Sequence, residues 1–311
     1  MVGCAFSVSG KSKFRALLAT ARIANVPSVL SNLAVGVVLA GVLSASEFQW
    51  PWLMSTAAVL FYISANFLND WADVDWDREN RPERALPGGL FSPKLYLVIG
   101  VAGLVIGLLL AALYGFLALA IGLVLVALIS QYTSVHKKVA WSVVPMGLCR
   151  ACLPLLGFSA MRPLLETPIL VPAAALLIYI VALSMSARWE AKGDIPSRQK
   201  WLAKGLLSGA GVLAAGLALM AMPSLGWMGL VPFGLWMAMS FTKFQTPVPA
   251  HVSALLAGIP LVDWALLLPI AFIWQREGLL EKTDPLFLIC LLLAPICFVC
   301  GRLLQRLAPA T

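Results

Sequence analysis

Runs such as VAGLVIGLLLAAL (101–113) continue for a dozen residues without a polar side chain, and similar runs recur along the whole 311-residue chain. A chain built this way cannot hide its apolar surface in a water-soluble core. Only 12% of its residues are charged and 61% are hydrophobic, whereas soluble domains carry about 25% charged residues. Its solvent is therefore lipid. A lipid-exposed backbone must satisfy its own hydrogen bonds, which leaves helices or closed barrels. Barrel strands alternate polar and apolar residues, and these runs do not. The fold class expected is an all-α membrane protein.

A bilayer core is crossed by about 20 apolar residues. On that measure spans are expected at 24–44, 50–69, 94–112, 114–131, 141–160, 167–187, 201–221, 224–241, 251–273 and 286–305, with nine as the alternative to ten. Length and uniform composition give a single domain, 1–311. It comprises a polar, basic N-terminal segment (1–22), a helical core (24–273) and a further span (286–305). The N-terminus lacks the apolar stretch of a signal peptide.

Lys and Arg set the orientation. With the N-terminus in the cytoplasm and alternating spans, Arg162, Arg276 and Lys282 fall on the outer side. Arg150 lies within a span. The remaining 18 of 22 basic residues are then cytoplasmic. The +8 net charge follows largely from this sorting, so it calls for no nucleic-acid partner. A multi-pass protein of the cytoplasmic membrane is expected, with its charged loops inside. The six cysteines include two C-x-x-C pairs, Cys149/Cys152 and Cys297/Cys300. Neither has the polar surroundings of a zinc or redox site, and they read as packing thiols.

Acids obey no such sorting, yet six of fourteen lie in one loop: Asp70, Asp73, Asp75, Asp77, Glu79 and Glu83. The segment reads NFLNDWADVDWDRENRPERALPGG (66–89). Asn69, Asp73 and Asp77 recur every four residues and Asp70 precedes Asp73 by three, which places all four on one helical face. Like charges so spaced repel, and a divalent cation turns the repulsion into coordination. Mg²⁺ takes oxygen ligands, commonly one or two carboxylates plus substrate phosphates. Arg81 and Arg84 follow closely and suit phosphate. The alternative is a solvated acidic loop neutralised by its arginines.

The pattern Asn69-Asp70-x-x-Asp73-x-x-x-Asp77 resembles the NDxxDxxxD signature of the UbiA superfamily of intramembrane prenyltransferases. Arg81-Pro82 and Arg84-Ala85-Leu86 resemble the R-x-x-x-R-P-L tail that follows it. The resemblance covers roughly residues 20–275 and implies a bundle of nine to ten helices with a cytoplasm-facing polar site. It implies Mg²⁺ as cofactor, a prenyl diphosphate as donor and a lipophilic acceptor, aromatic in many members, in a groove open to lipid. Tyr132 and His136-Lys137-Lys138 resemble the family's Y-x-x-x-K-R stretch, so Tyr132, Lys137 and Lys138 are expected at the diphosphate, while His136 reads as a solvated loop residue. Arg22, in ARIANVPSVLSN, resembles the arginine–proline element at the family's first helix. The second family motif, D-x-x-x-D, is matched by Glu190 and Asp194 with Glu for the first Asp, which places two-metal chemistry in question. Two stretches, 146–157 and 182–191, look closest to a divergent branch encoded in Ebo-type bacterial operons.

The metal set expected from the resemblance is thus Asn69, Asp70, Asp73, Asp77, Glu190 and Asp194, with Asn69, Asp73 and Asp77 catalytic. The diphosphate set is Arg22, Arg81, Arg84, Tyr132, Lys137 and Lys138. Asn32, Asn66 and Arg150 are pocket candidates, Asn32 also serving as a packing residue. Phe67, Trp71, Trp76 and Trp189 are the aromatic candidates at the site edge. Arg150 and Asp263 lie inside spans, where a lipid-facing charge costs about 2.5–3.5 kcal/mol, so both must face the interior; either they pair, or Arg150 reaches diphosphate or an acceptor's carboxylate. A non-catalytic isoprenoid- or lipid-binding or transport-associated protein on the same fold is the competing reading. The D-G-x-x-A-R pattern of CDP-alcohol phosphotransferases is absent. The residues fix neither the acceptor and chain length nor the oligomeric state.

Overall fold

The computed structural model describes residues 10–43, 48–190, 194–220, 225 and 227–307. Among them thirteen α-helices form and no strand does. A short helix, α1 (Gly10–Thr20), precedes α2 (Val26–Val42). Then come α3 (Trp52–Ala72), the short α4 (Val74–Asn80), α5 (Pro93–Ala112), α6 (Phe116–Val135), α7 (Val143–Ser159) and α8 (Leu170–Ala187). The last five are α9 (Ser197–Met220), α10 (Trp227–Phe241), α11 (Val248–Ala257), α12 (Ile259–Arg276) and α13 (Pro285–Leu304). Eight helical segments are long and apolar enough to cross a bilayer. α3 is as long, but its polar residues Asn66, Asn69 and Asp70 sit in its last two turns. The apolar α10 is shorter. Among the described residues eight of the expected spans therefore meet the measure, and α3 and α10 lie where two more were expected. The chain is a multi-pass, all-helical membrane protein.

Two boundaries differ from expectation. The span expected at 251–273 is two helices meeting at Gly258. A Cβ at Gly258 would lie 2.6 Å from the Tyr179 hydroxyl, which itself donates to the Leu255 carbonyl at 2.7 Å. Tyr179 thus satisfies a carbonyl at the break, as lipid requires. The N-terminal segment, read only as polar, begins its described part as α1, whose Thr20 bonds the Tyr96 hydroxyl of α5 at 2.8 Å. The tight turn expected after residue 112 exists and uses Gly115 at φ 105°, where a side chain would be strained. The turn expected at 222–224 and Lys192 lie outside the described residues.

Helix association in lipid depends on close packing, for which small residues are favoured. α2 is the buried centre, and it meets α7 backbone to backbone. A Cβ at Gly36 would sit 1.8 Å from the Pro154 carbonyl oxygen, and one at Gly157 would sit 2.1 Å from the Leu33 carbonyl oxygen. On α5, Gly100, Gly103 and Gly107 likewise admit Leu68, Ser64 and Phe61 of α3. The last turn of α13 returns to the start of α2, where a Cβ at Gly301 would lie 3.4 Å from the Ala24 carbonyl oxygen. The start of α2 and the end of α13 therefore lie at the same end of the bundle. The acidic loop after α3 lies at that end too, since Asn66 of α3 bonds Arg22 and the Ala21 carbonyl.

Because backbone atoms, not flexible side chains, face Gly36 and Gly157, neither position can absorb a methyl group. Gly36→Ala and Gly157→Ala are each expected to lower the melting temperature in detergent markedly, whereas Gly216→Ala, which meets open space, leaves it unchanged or slightly raised.

Candidate active site

Asp73 is where α3 hands over to α4, with backbone bonds from Asp73 N to Asn69 O (2.9 Å) and from Asp77 N to Asp73 O (2.8 Å). The helical repeat carries through the junction, so Asn69, Asp73 and Asp77 do share a face. They do not share an environment. Asn69 and Asp73 line a cavity of about 490 Å³, together with Arg22, Arg81, Arg84, Tyr132, Lys137 and Glu190. Asp77 is fully buried behind that wall. Its Oδ2 accepts from Arg84 Nη1 at 2.8 Å. Asp70 also stands behind the wall, its Oδ1 3.5 Å from Arg84 and 3.6 Å from Arg22.

Each remaining carboxylate on the cavity has its own cation. Asp73 Oδ2 meets His136 Nε2 at 2.9 Å and Lys137 Nζ at 3.5 Å. Glu190 Oε2 lies 3.3 Å from Arg81, which joins the loop after α4 to the end of α8. Burial opposes ionisation of Asp73, but the hydrogen bond with His136 and the Lys137 ammonium outweigh it and hold its pKa below the usual carboxylate range. Burial lowers the pKa of Lys137, against the pull of Asp73. The Lys137 ammonium also rests 3.6 Å from the centre of the Trp76 ring.

Arg22 occupies an unusual backbone position, the left-handed region at φ 46°, sparsely used by non-glycine residues. The structure around it fixes that turn. Asn66 Nδ2 donates to the Ala21 carbonyl at 3.3 Å, and the Tyr62 hydroxyl donates to the Arg22 carbonyl at 3.4 Å. The side chain is thereby aimed at the cavity, where Nη1 donates to Asn66 Oδ1 at 2.8 Å. Strained residues held by their surroundings cluster at functional sites.

Several expected residues stand elsewhere. Lys138 is exposed and does not line the cavity; its neighbour Lys137 does. Asp194 is 82% exposed and pairs with Lys200 at 3.0 Å, so it does not join Glu190. Phe67 packs on Tyr96 in the core and Trp71 is exposed, whereas Trp76 and Trp189 line the cavity. Asn66 and Arg150 reach it; Asn32 is wholly buried behind Arg150. Arg150 and Asp263 are not a direct pair. Arg150 Nη1 donates to Asn32 Oδ1 at 3.0 Å, and Asn32 Nδ2 donates to Asp263 Oδ2 at 2.7 Å. An amide dipole stands between the charges.

Three residues at the site were not anticipated from the sequence. His136 holds Asp73 and stacks on Tyr132, with ring centres 4.9 Å apart. Arg188 donates to the carbonyls of His136 (3.0 Å) and Val139 (2.7 Å), fixing the loop that presents Lys137. Tyr62 lines the cavity and faces the Arg150 guanidinium at 5.1 Å. Toward the membrane interior the cavity adjoins an apolar lobe of about 70 Å³, walled by Phe61, Leu125, Ile129 and Leu153.

The donor set suits a hard divalent cation. Asn69 Oδ1, Asp77 Oδ1 and Glu190 Oε1 are buried oxygens without a hydrogen-bond partner, and such groups are costly unless something else satisfies them. Among the described residues no three His, Cys, Asp or Glu side chains converge as a preformed metal cage. That is compatible with Mg²⁺, which completes its shell with water and phosphate rather than with protein alone.

Two outcomes follow. Arg84→Ala strands the buried Asp77 carboxylate and is expected to destabilise the protein by about 3–5 kcal/mol, with much of the loss recovered in Arg84→Ala/Asp77→Asn, as read by denaturant titration in detergent. Because the Asp73 pKa is lower in the folded state, the stability it contributes is present above about pH 4 and is lost as pH falls through the depressed value. The melting midpoint of metal-free protein should therefore drop below about pH 4, and drop less in Asp73→Asn.

Digeranylgeranylglyceryl phosphate synthase of Natronomonas pharaonis is 34% identical over 125 residues, 40% of this chain and 44% of that protein. The synthase of the same name from Methanothrix thermoacetophila is 34% identical over 107 residues, 34% and 40% of the two chains. The chain thus spans less than half the length of the curated relatives it matches. Among solved structures, one of a digeranylgeranylglyceryl phosphate synthase superposes with a TM-score of 0.53 at 15% identity, over 94% of this chain and 98% of that one. A UbiA homologue from Archaeoglobus fulgidus bound to GPP and Mg²⁺ superposes with a TM-score of 0.51 at 13% identity, over 94% and 99%. At such identities these two share the fold. The UbiA prenyltransferase family model matches residues 29–197, more than half of the chain, and the chain belongs to that family.

Proposed function

We propose that the protein transfers a prenyl group from a prenyl diphosphate to a lipophilic acceptor within the membrane. The observation that carries this reading is the cavity itself: Asn69 and Asp73 share one wall with Arg22, Arg81 and Lys137, above an apolar lobe. Carboxylate and amide oxygens suit a metal. Guanidinium and ammonium groups suit diphosphate. Apolar walls suit an isoprenoid chain.

Asn69 and Asp73 are the proposed Mg²⁺ ligands on the cavity, with Glu190 on the facing wall; Asp77, behind that wall with its Oδ1 unpartnered, would join them by giving up Arg84. When bound, Mg²⁺ supplies charge stabilisation on the departing pyrophosphate. Arg22, Arg81 and Lys137 add fixed positive charge around the same group, which favours charge developing there over charge at rest. Tyr62, Tyr132, Trp76 and Trp189 line the cavity, and their π faces suit an allylic cation. The exposed Asp194 keeps its own partner Lys200 and is left out of this scheme.

The sorting of Lys and Arg supports placing the cavity on the cytoplasmic face, where prenyl diphosphates are water-accessible. The bound ligands of the Archaeoglobus homologue and the names of the archaeal relatives support the donor class; the acceptor is a separate matter.

The decisive experiment measures binding and pyrophosphate release with geranyl, farnesyl and geranylgeranyl diphosphate, with and without Mg²⁺. Release that needs Mg²⁺ and falls at least about a hundredfold in Asp73→Ala and Asp77→Ala is expected. Mg²⁺-dependent binding with no release in the presence of any acceptor extract would instead favour a carrier, and no binding at all would remove the reading.

A further inference from the structure

A second, smaller cavity opens at the same end of the bundle. The end of α8, the start of α9, the end of α10 and the start of α11 wall it, through Ser186, Lys204, Phe241 and His251 among others. Its volume is about 30 Å³. One water-sized group needs about 10–15 Å³, so the cavity admits two or three such groups and no isoprenoid chain. α11 separates it from the candidate active site, presenting His251 to one cavity and Val252 and Leu256 to the other.

His251 is the unusual wall residue, for it is only 3% exposed. Its Nδ1 lies 2.9 Å from the Ser240 carbonyl oxygen. A carbonyl only accepts, so Nδ1 carries the proton and donates. Nε2 of the neutral ring is then an acceptor, and no hydrogen bond reaches it among the described residues. A buried acceptor left open in this way calls for a donor from whatever enters the cavity.

The charge around the cavity is of one sign. Lys204 Nζ lies 5.1 Å from the centre of the Trp201 ring and 5.2 Å from that of Phe241. The Phe241 ring packs in turn on the His251 ring, with centres 5.3 Å apart. Lys200 is paired with Asp194 at 3.0 Å, whereas Lys204 has no carboxylate partner among the described residues. Residues 195–262 include Arg198, Lys200, Lys204 and Lys243 and no Asp or Glu. Positive-inside sorting accounts for cations at a membrane face. It does not account for a cavity beside them that holds a buried imidazole acceptor. Trp201 and Leu202, within a turn of Lys204, are exposed near the start of a helix long and apolar enough to cross a bilayer. The mouth of the cavity therefore stands at the level of lipid headgroups.

We propose that this cavity receives the headgroup of an anionic phospholipid that carries hydroxyls, of which phosphatidylglycerol is a simple example. Lys204 matches the phosphate at the mouth, and a headgroup hydroxyl donates to His251 Nε2 inside. The site does not depend on the prenyl-transfer reading. A water-soluble phosphate ester bearing a hydroxyl has the same chemistry, and the test separates the two sources.

The full chain, purified in neutral detergent, is titrated with dioleoyl phosphatidylglycerol, phosphatidylethanol and phosphatidylcholine, and lipid binding is read by native mass spectrometry. Phosphatidylethanol has the same single negative charge without hydroxyls, and phosphatidylcholine has no net charge. Phosphatidylglycerol is expected to bind tightest, phosphatidylethanol about fivefold more weakly, and phosphatidylcholine about fivefold more weakly again. His251→Asn keeps a donor for the Ser240 carbonyl and removes Nε2. It should bring phosphatidylglycerol down to the level of phosphatidylethanol and leave the latter unchanged. Lys204→Gln should weaken both anionic lipids and spare phosphatidylcholine, while Arg198→Gln, which does not line the cavity, should change none of the three. Equal wild-type affinity for phosphatidylglycerol and phosphatidylethanol overturns the proposal without any variant, and leaves a cavity filled by water alone. Equal loss for all three lipids in His251→Asn overturns it, since His251 would then be structural. So does an Arg198→Gln effect as large as that of Lys204→Gln, which would mark diffuse attraction to the whole face. Displacement of phosphatidylglycerol by an equal concentration of sn-glycero-3-phosphoglycerol would overturn the assignment to a lipid.

Discussion

Charge buried at the edge of a bilayer must be answered where it stands, because neither lipid nor a narrow cavity supplies the dielectric that water would. The polar end of this bundle is arranged around that constraint. Asp77 and Asp70 are answered by Arg84 and Arg22, Asp73 by His136 and Lys137, and Glu190 by Arg81. The arginines come from loops and helix starts while the acids come from helix ends, so each pair also fastens one segment to another. Assembly of the bundle and assembly of the site are the same set of contacts.

This dual use has a cost that the chemistry can exploit. A carboxylate satisfied by a guanidinium is not free for a metal, and a guanidinium satisfied by a carboxylate is not free for a phosphate. On the proposed function, a magnesium diphosphate entering the cavity would replace acid–base pairs with acid–metal and base–phosphate pairs of similar charge balance. Exchange of partners at nearly constant charge is a gentle event electrostatically, since no group passes through an unpaired state in a low dielectric. The orphaned oxygens of Asn69, Asp77 and Glu190 are where such an exchange would have least to undo.

The hydrophobic segments were legible because a bilayer imposes length and composition directly on sequence. The four-residue repeat of Asn69, Asp73 and Asp77 was legible because a helix imposes a period. What escaped depended on facts that neither rule carries. Whether His136, Lys137 or Lys138 points inward depends on the phase at which α6 ends. That Asp194 turns outward depends on its local partner Lys200, not on its spacing from Glu190. The bridge Arg150–Asn32–Asp263 depends on the relative rotation of three helices. The break within the ninth span did leave a sign, since Gly258 and Pro260 interrupt an otherwise apolar run; reading length alone passed over it.

Arg22 shows what such a site asks of its scaffold. A non-glycine residue in the left-handed region costs roughly 1–2 kcal/mol per residue, and glycine would relieve it at once. Glycine would also remove the guanidinium that the turn exists to present. Backbone preference and cavity chemistry therefore favour different residues at the same position, and the chain retains the one that is worse for folding. On the proposed function, stability gained at position 22 would be stability taken from the site, so improving the protein here as a folded object would impoverish it as a working one.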